Sequence, residues 1–289
     1  MVRSDNRLGQ YLMLAPLGVS AVLVVLLSLA LILALSLQRV DPTLLFTEFT
    51  LTAYRENVLQ PLFWRVLARS IAISAAVTAA TLLLSYPVAY FIAVKGGRHK
   101  ALMLVLITAP FFTSYLLRIF AWKIILGFNG VVNSALKTAG LIDAPLQFLV
   151  YNSFSVVVAL THAYLAFAVL PIYVALERID KSLAESASDL GARPFANFRQ
   201  ITLPLSMPGV IAAALLIFVP TVGDYITPTL VGGPGGTMIG NLIQAQFGKA
   251  NDWPAGSALS VAVILSIGVL LALIAGGAKL YRRPAGSAA

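Results

Sequence analysis

Six stretches of this chain are too long and too apolar to face water, and they limit what it can fold into. Leu12–Leu37, Ser70–Val94 and Ala255–Ala278 contain no charge. Phe148–Leu176 holds one ionisable residue, His162, and Pro208–Val231 holds one, Asp224. Ala101–Leu126 is apolar as far as Leu117 and then carries Arg118 and Lys123. Crossing a hydrocarbon core of about 30 Å takes roughly 20 helical residues, which each stretch supplies. Strand-like alternation is absent over these lengths, and an isolated span must satisfy its own backbone, so the stretches read as helices. The expected fold is an all-α membrane protein with six transmembrane helices in one domain, residues 1–289. The composition agrees. Only 11% of the 289 residues are charged and the mean hydropathy is +0.90, whereas soluble domains carry about 25% charged residues.

The first span follows Arg3 and Arg7 as a signal peptide would, but its 26 apolar residues exceed the ~7–15 of a cleaved h-region, so it reads as a retained helix. The net charge of +9 does not point to nucleic acid, because no Lys/Arg run forms a patch. The basic residues fall in the short segments between spans. With an internal N-terminus, twelve of the 20 Lys and Arg lie in segments on the cytoplasmic side and five on the other. That bias places both termini in the cytoplasm. The absence of cysteine excludes disulfides and Cys-ligated zinc or iron–sulfur sites. With two histidines, no H-E-x-x-H and one intramembrane carboxylate, the chain offers no catalytic residues and no metal site.

One cytoplasmic segment, 177–207, is longer and more patterned than a connector. Asp180 is placed to cap a helix beginning at Lys181. Leu183, Ala187 and Leu190 line one face of it, and Gly191 suits the C′ position. Pro194 suits the first turn of a second helix striped by Phe195, Phe198 and Ile201. Leu203-Pro204 and Pro208 are expected to stop that helix before the fifth span. Two readings are open: the hairpin folds back on its own bundle, or it packs against another protein.

Glu185-Ser186-Ala187, Gly191 and Ile201-Thr202-Leu203-Pro204 resemble the EAA loop of ABC importer permeases, with Ser186 in place of the motif's first alanine. The resemblance implies a type I ABC importer permease fold in the bacterial cytoplasmic membrane. It also implies a coupling helix, Leu183–Gly191, that docks into a separate ATP-binding subunit. Leu183, Glu185, Ser186, Ala187, Asp189, Leu190, Gly191 and Ala192 are then the coupling residues. The expected partners are a second homologous permease, two copies of the ATP-binding subunit, a periplasmic or lipid-anchored substrate-binding protein, and membrane lipid. Gly232–Thr237 is glycine-rich but lacks the P-loop lysine. The chain thus carries no cofactor, and ATP and Mg belong to the partner ATPase.

Gly223-Asp224-Tyr225-Ile226-Thr227-Pro228, Gly240-Asn241-Leu242-Ile243, Trp253-Pro254-Ala255-Gly256-Ser257-Ala258, Arg118–Lys123 and Tyr86–Tyr90 resemble the spermidine/putrescine permease family. Permeases for opines, aminoethylphosphonate and ferric ion share parts of these motifs. A charge inside a span costs several kcal/mol unless paired or hydrated and marks function by default. At 1.5 Å per residue, Asp224 and Arg118 each lie about 25 Å from the cytoplasmic start of their spans. Asp224 has three readings: an ion pair with Arg118, a carboxylate facing a cationic substrate, or solvation at the interface. Tyr225, Tyr115, Trp122 and Tyr164 are aromatic candidates for the substrate path through cation–π contact. Pro220, Gly223 and Pro228 break the fifth span, and irregular backbone at membrane depth borders cavities, so this is the expected gate. A secondary transporter driven by an ion gradient is the competing class. It calls for further intramembrane carboxylates or a repeated pair of broken helices, and the sequence has neither.

Overall fold

The computed structural model describes residues 7–41 and 44–281. Helices make up nearly all of it: α1 Arg7–Ser36, α2 Pro61–Lys95, α3 Lys100–Thr108, α4 Tyr115–Leu126, α5 Val131–Thr138, α6 Ser153–Glu177, α7 Lys181–Asp189, α8 Pro194–Asn197, α9 Leu203–Val222, α10 Ile239–Ala245 and α11 Trp253–Tyr281. Among the described residues, six helical stretches are long and apolar enough to cross a membrane. A short antiparallel hairpin, β1 Gln38–Asp41 with β2 Leu44–Phe49, follows α1 in register Gln38↔Phe49 and Arg39↔Glu48.

The chain divides into two compact units, Arg65–Leu242 and Met1–Trp64 with Ile243–Ala289. In the second, α1 runs along α11, and Ser36 Oγ meets Tyr54 Oη at 2.8 Å. The first holds the main core, with Val77, Ile92, Ile119, Leu160, Ile172, Ile217 and Met238 buried together. Its tightest crossing joins α6 to α9. A Cβ on Gly209 would lie 2.5 Å from Ala175 Cβ and 2.6 Å from the Pro171 carbonyl oxygen, so only glycine lets these backbones approach.

Four buried hydroxyls find their partner within their own helix. Ser70, Thr81, Ser85 and Thr221 each bond the carbonyl four residues back, at 2.6–2.9 Å. This is the local partner available where there is no water.

Two expected spans differ. The third is not continuous over 101–126. α3 ends at Thr108, a 3₁₀ turn covers Ala109–Phe112, Thr113 is extended, and α4 starts at Tyr115. Pro110 has no N–H to give the helix, and hydropathy cannot register that. The fifth starts earlier and ends earlier than 208–231. Helical structure runs unbroken from Pro194 through a π-helical turn, Phe198–Thr202, into α9, and stops at Val222. Leu203-Pro204 and Pro208 therefore do not separate it from the preceding segment. Pro204 sits in the first turn of α9, and the wide π turn accommodates the missing bond: the Leu203 N–H reaches the Phe198 carbonyl.

Candidate functional site

Two places hold the candidate residues. The first is the segment around α7. The Asp180 carboxylate accepts the Ser182 N–H at 3.0 Å and caps the helix as its sequence implied. That backbone bond, with a second from the Ser182 side chain, holds the Asp180 carboxyl below the ordinary carboxylate range. At the other end Gly191 has φ +82°. Its N–H bonds the Ser188 carbonyl while the Ala192 N–H bonds that of Ala187, both at 2.9 Å. Those are the two bonds of a Schellman motif. Pro194 then opens α8.

The large apolar side chains from Leu183 to Phe195 are exposed. Leu190 is 89% exposed, Phe195 73% and Leu183 47%. Glu185, Ser186 and Asp189 are exposed and Ala187 is half-buried. Glu185 also borders a recess of about 280 Å³ with Asp180, Tyr90 and Thr202. Beside it, Lys100 Nζ donates to both Glu177 carboxylate oxygens at 2.8 Å, tying the start of α3 to the end of α6.

The second place is the break after α9. Gly223 is a turn residue, and Asp224 and Tyr225 are non-helical. The chain re-enters a π turn at Pro228–Gly232. The half-buried Asp224 accepts the Tyr115 hydroxyl at 2.9 Å and the Ile226 N–H at 3.0 Å. Tyr115 Oη also meets the buried Thr227 Oγ1 at 2.7 Å. The tyrosine's one proton goes to the carboxylate, so Thr227 donates to the tyrosine oxygen.

Helix α10 packs onto the break. A Cβ on Gly240 would lie 2.8 Å from the Asp224 carbonyl oxygen. Asn241 Nδ2 donates to the Tyr225 carbonyl and to Thr229 Oγ1 at 2.9 and 2.8 Å. The buried Ser70 Oγ of α2 accepts the Ile239 N–H at 2.7 Å.

The Arg118–Asp224 ion pair is not formed. Arg118 Nη1 donates to the Ala163 carbonyl at 3.2 Å, and its guanidinium carbon lies 5.9 Å from the Tyr115 ring centroid. Tyr115 stands between the two charges: its ring faces Arg118 and its hydroxyl holds Asp224. Of the other aromatics, Tyr164 lies within electrostatic reach of Asp224 and Tyr115 and meets Phe167 at 5.9 Å between ring centroids. Trp122 meets His162 at 5.6 Å, and Tyr225 is 45% exposed. Pro220 lies inside α9, two residues before its end. Sequence reasoning gave no role to Thr227, Gly240 or Asn241, although they stand in the Thr-Pro and Gly-Asn motifs. Among the described residues no His/Cys/Asp/Glu group could hold a metal ion.

The comparisons place this chain of spanning helices in the class of importer permeases. Residues 85–280 match the family model "Binding-protein-dependent transport system inner membrane component". The spermidine/putrescine transport system permease protein PotB of Escherichia coli is 37% identical over 235 residues, covering 81% of this chain and 85% of that one. The protein of that name from Haemophilus influenzae is 35% identical over 227 residues, covering 78% and 79%. The inner membrane ABC transporter permease protein YdcU of E. coli is 32% identical over 247 residues, covering 79% of each.

Two solved structures share the fold. One is a bacterial ABC transporter importing the acidic polysaccharide alginate (TM-score 0.62, 18% identity, 96% and 98% covered). The other is a bacterial alginate ABC transporter in complex with its alginate pentasaccharide-bound periplasmic protein (TM-score 0.70, 16% identity, 100% of both covered). The chain belongs to the family of binding-protein-dependent transport system inner membrane components. It is a multi-pass permease subunit of a bacterial ABC importer.

Proposed function

We propose that this permease carries polyamines, spermidine or putrescine, and that residues 1–289 act as one transmembrane domain with both termini in the cytoplasm. The observation that carries the substrate reading is Asp224. It is a half-buried carboxylate at a helix break, held by neutral donors and free of any Lys or Arg partner, as a receptor for a passing ammonium must be. The names of the PotB relatives support it. Tyr115 sets the carboxylate, and Tyr225, Trp122 and Tyr164 line other parts of the path. The break at Pro220, Gly223 and Pro228 is its gate.

The coupling residues are Leu183, Glu185, Ser186, Ala187, Asp189, Leu190, Gly191 and Ala192, within the loop 177–207. Exposure of Leu183, Leu190 and Phe195 supports docking on an ATP-binding subunit rather than on the bundle. Two copies of that subunit, a second permease and a substrate-binding protein complete the importer, with ATP and Mg on the ATPase.

The test is purification with the co-expressed partner subunits, reconstitution, and ATPase and uptake assays with the binding protein. Stimulation by spermidine or putrescine, at least tenfold lost in Glu185→Lys with membrane insertion intact, is expected. A coupled ATPase indifferent to polyamines overturns the substrate. One observation favours a second substrate class, an anionic or zwitterionic solute such as an opine or aminoethylphosphonate: Arg118 Nε is buried without a partner.

A further inference from the structure

The π-helical turn Phe198–Thr202 is not a passive link between the coupling segment and the membrane helix. Phe198 begins it and stands edge-on between two tyrosines of α2. The Tyr86 ring lies 5.9 Å away at 81° and the Tyr90 ring 5.7 Å away at 89°. Edge-to-face contacts of this kind fix orientation as well as separation. Ser206 Oγ donates to the Leu203 carbonyl at 3.0 Å, so the 2.8 Å contact between Tyr86 Oη and Ser206 Oγ is a bond donated by the tyrosine. One face of α2 thus grips the start of α9 at two points, a ring and a hydroxyl.

From that grip α9 runs without interruption to Val222, about 24 Å from Ser206 on the helical rise. Along the way Gly209 is locked against α6, and Ala213 and Ile217 are fully buried. Directly beyond its end comes Asp224. A helix unbroken through Pro208 and Pro220 therefore joins the exposed coupling face to the carboxylate. The π turn at its base is wound more widely, and its extra residue per turn leaves the backbone able to rewind. Left free, that turn would absorb a push from α7.

We propose that Phe198 is the positioning residue that makes this joint stiff. Clamped by Tyr86 and Tyr90, it prevents the π turn from rewinding and passes displacement of the coupling segment through α9 to Asp224. The inference rests on the reading of α7 as the ATPase-docking helix. Phe198 touches no substrate and acts only through the helix that follows it.

The experiment uses the reconstituted importer with its binding protein, measuring uptake of labelled spermidine and ATP hydrolysis in the same vesicles. Phe198→Ala leaves Leu183, Glu185 and Leu190 untouched. It should keep stimulated ATPase within twofold of the parent while uptake per ATP falls at least tenfold, and Phe198→Tyr should restore the ratio. Parallel loss of ATPase and uptake, or an unchanged ratio, overturns the proposal. Should Phe198→Ala fail to reach the membrane, Tyr90→Leu removes one half of the clamp. It should lower uptake per ATP about threefold at constant ATPase, and no change in the ratio overturns the proposal as well. Glu185→Lys run alongside separates the two readings: full ATPase stimulation in that variant defeats the docking assignment itself, whatever Phe198 does.

Discussion

Replacing Tyr115 by Phe removes one oxygen atom and leaves the ring in place. That oxygen donates to Asp224 at 2.9 Å and meets Thr227 at 2.7 Å. After the change the carboxylate keeps only the Ile226 N–H, at 3.0 Å. A hydrogen bond to a charged group contributes about 1.5–3 kcal/mol, and a partner left unsatisfied away from water sits toward the upper end. Taking about 2 kcal/mol, with 1.4 kcal/mol per factor of ten, the arrangement seen here loses ~30-fold in population relative to a displaced carboxylate. Contact of Arg118 with the ring is preserved, so the variant isolates the hydroxyl. Initial rates of spermidine uptake into proteoliposomes, at saturating binding protein, should fall 10- to 30-fold. Protein yield and thermal stability in detergent should stay near the parent's. Uptake within twofold of the parent would refute the reasoning, and if Asp224→Asn were also active the site would be misassigned.

Two further predictions concern the scaffold. Gly209→Leu drives a side chain into Ala175 and the Pro171 carbonyl and should cost more than the ~1–3 kcal/mol typical of overpacking; the check is a lowered detergent melting temperature with loss of complex assembly. The Asp180 carboxyl is held below its ordinary value by its bonds to Ser182. Its contribution to α7 is therefore present above the unfolded-state value and lost as pH falls through the lower folded one. Exchange protection at the Ser182 amide, corrected for intrinsic rate, should be equal at pH 7 and 5 and fall only at a third pH, below the ordinary carboxylate range. Asp180→Asn should keep the cap at all three, and Asp180→Ala should abolish it.

Helix α7 was legible because its start and stop signals are local. A cap at Asp180 and a left-handed glycine at Gly191 are each decided within five residues of chain, and the structure has both. The breaks were harder. Pro204 and Pro208 read as stops because an interior proline removes a bond and crowds the preceding turn. What they do depends on position and on the π turn before them, which no hydropathy window reveals. Pro110 was the reverse case: a real interruption hidden in apolar sequence. At Asp224 the depth estimate offered Arg118 as one candidate partner, and the side chain that reaches the carboxylate is Tyr115. Tyr115 and Arg118 are three residues apart on α4 and so share a face one turn apart. Rise per residue fixes height but not which neighbour's side chain arrives first. Thr227 escaped because its partner Tyr115 is 112 residues away, as Ser70 is 169 from Ile239; Gly240 and Asn241 escaped because they fold back on the Asp224 break across an irregular loop that no periodicity describes.

These long-range contacts share a physical cause. Between lipid-facing helices there is little hydrophobic drive to associate, because the alternative environment is equally apolar. Register must then come from close backbone approach and from polar atoms. Glycine stands at two close backbone approaches, Gly209 on α6 and Gly240 on the carbonyls of the Asp224 break, and Gly256 admits the Phe247 ring. Polar atoms act at the same levels, through Ser206 with Tyr86, Ser70 with Ile239 and Asn241 with Tyr225. Helix-breaking residues and small residues therefore belong to one arrangement. The break after α9 exposes carbonyls, and glycine brings α10 close enough for Asn241 to bond the Tyr225 carbonyl. At that break the Asp224 carboxylate is held by two neutral donors, the Tyr115 hydroxyl and the Ile226 N–H.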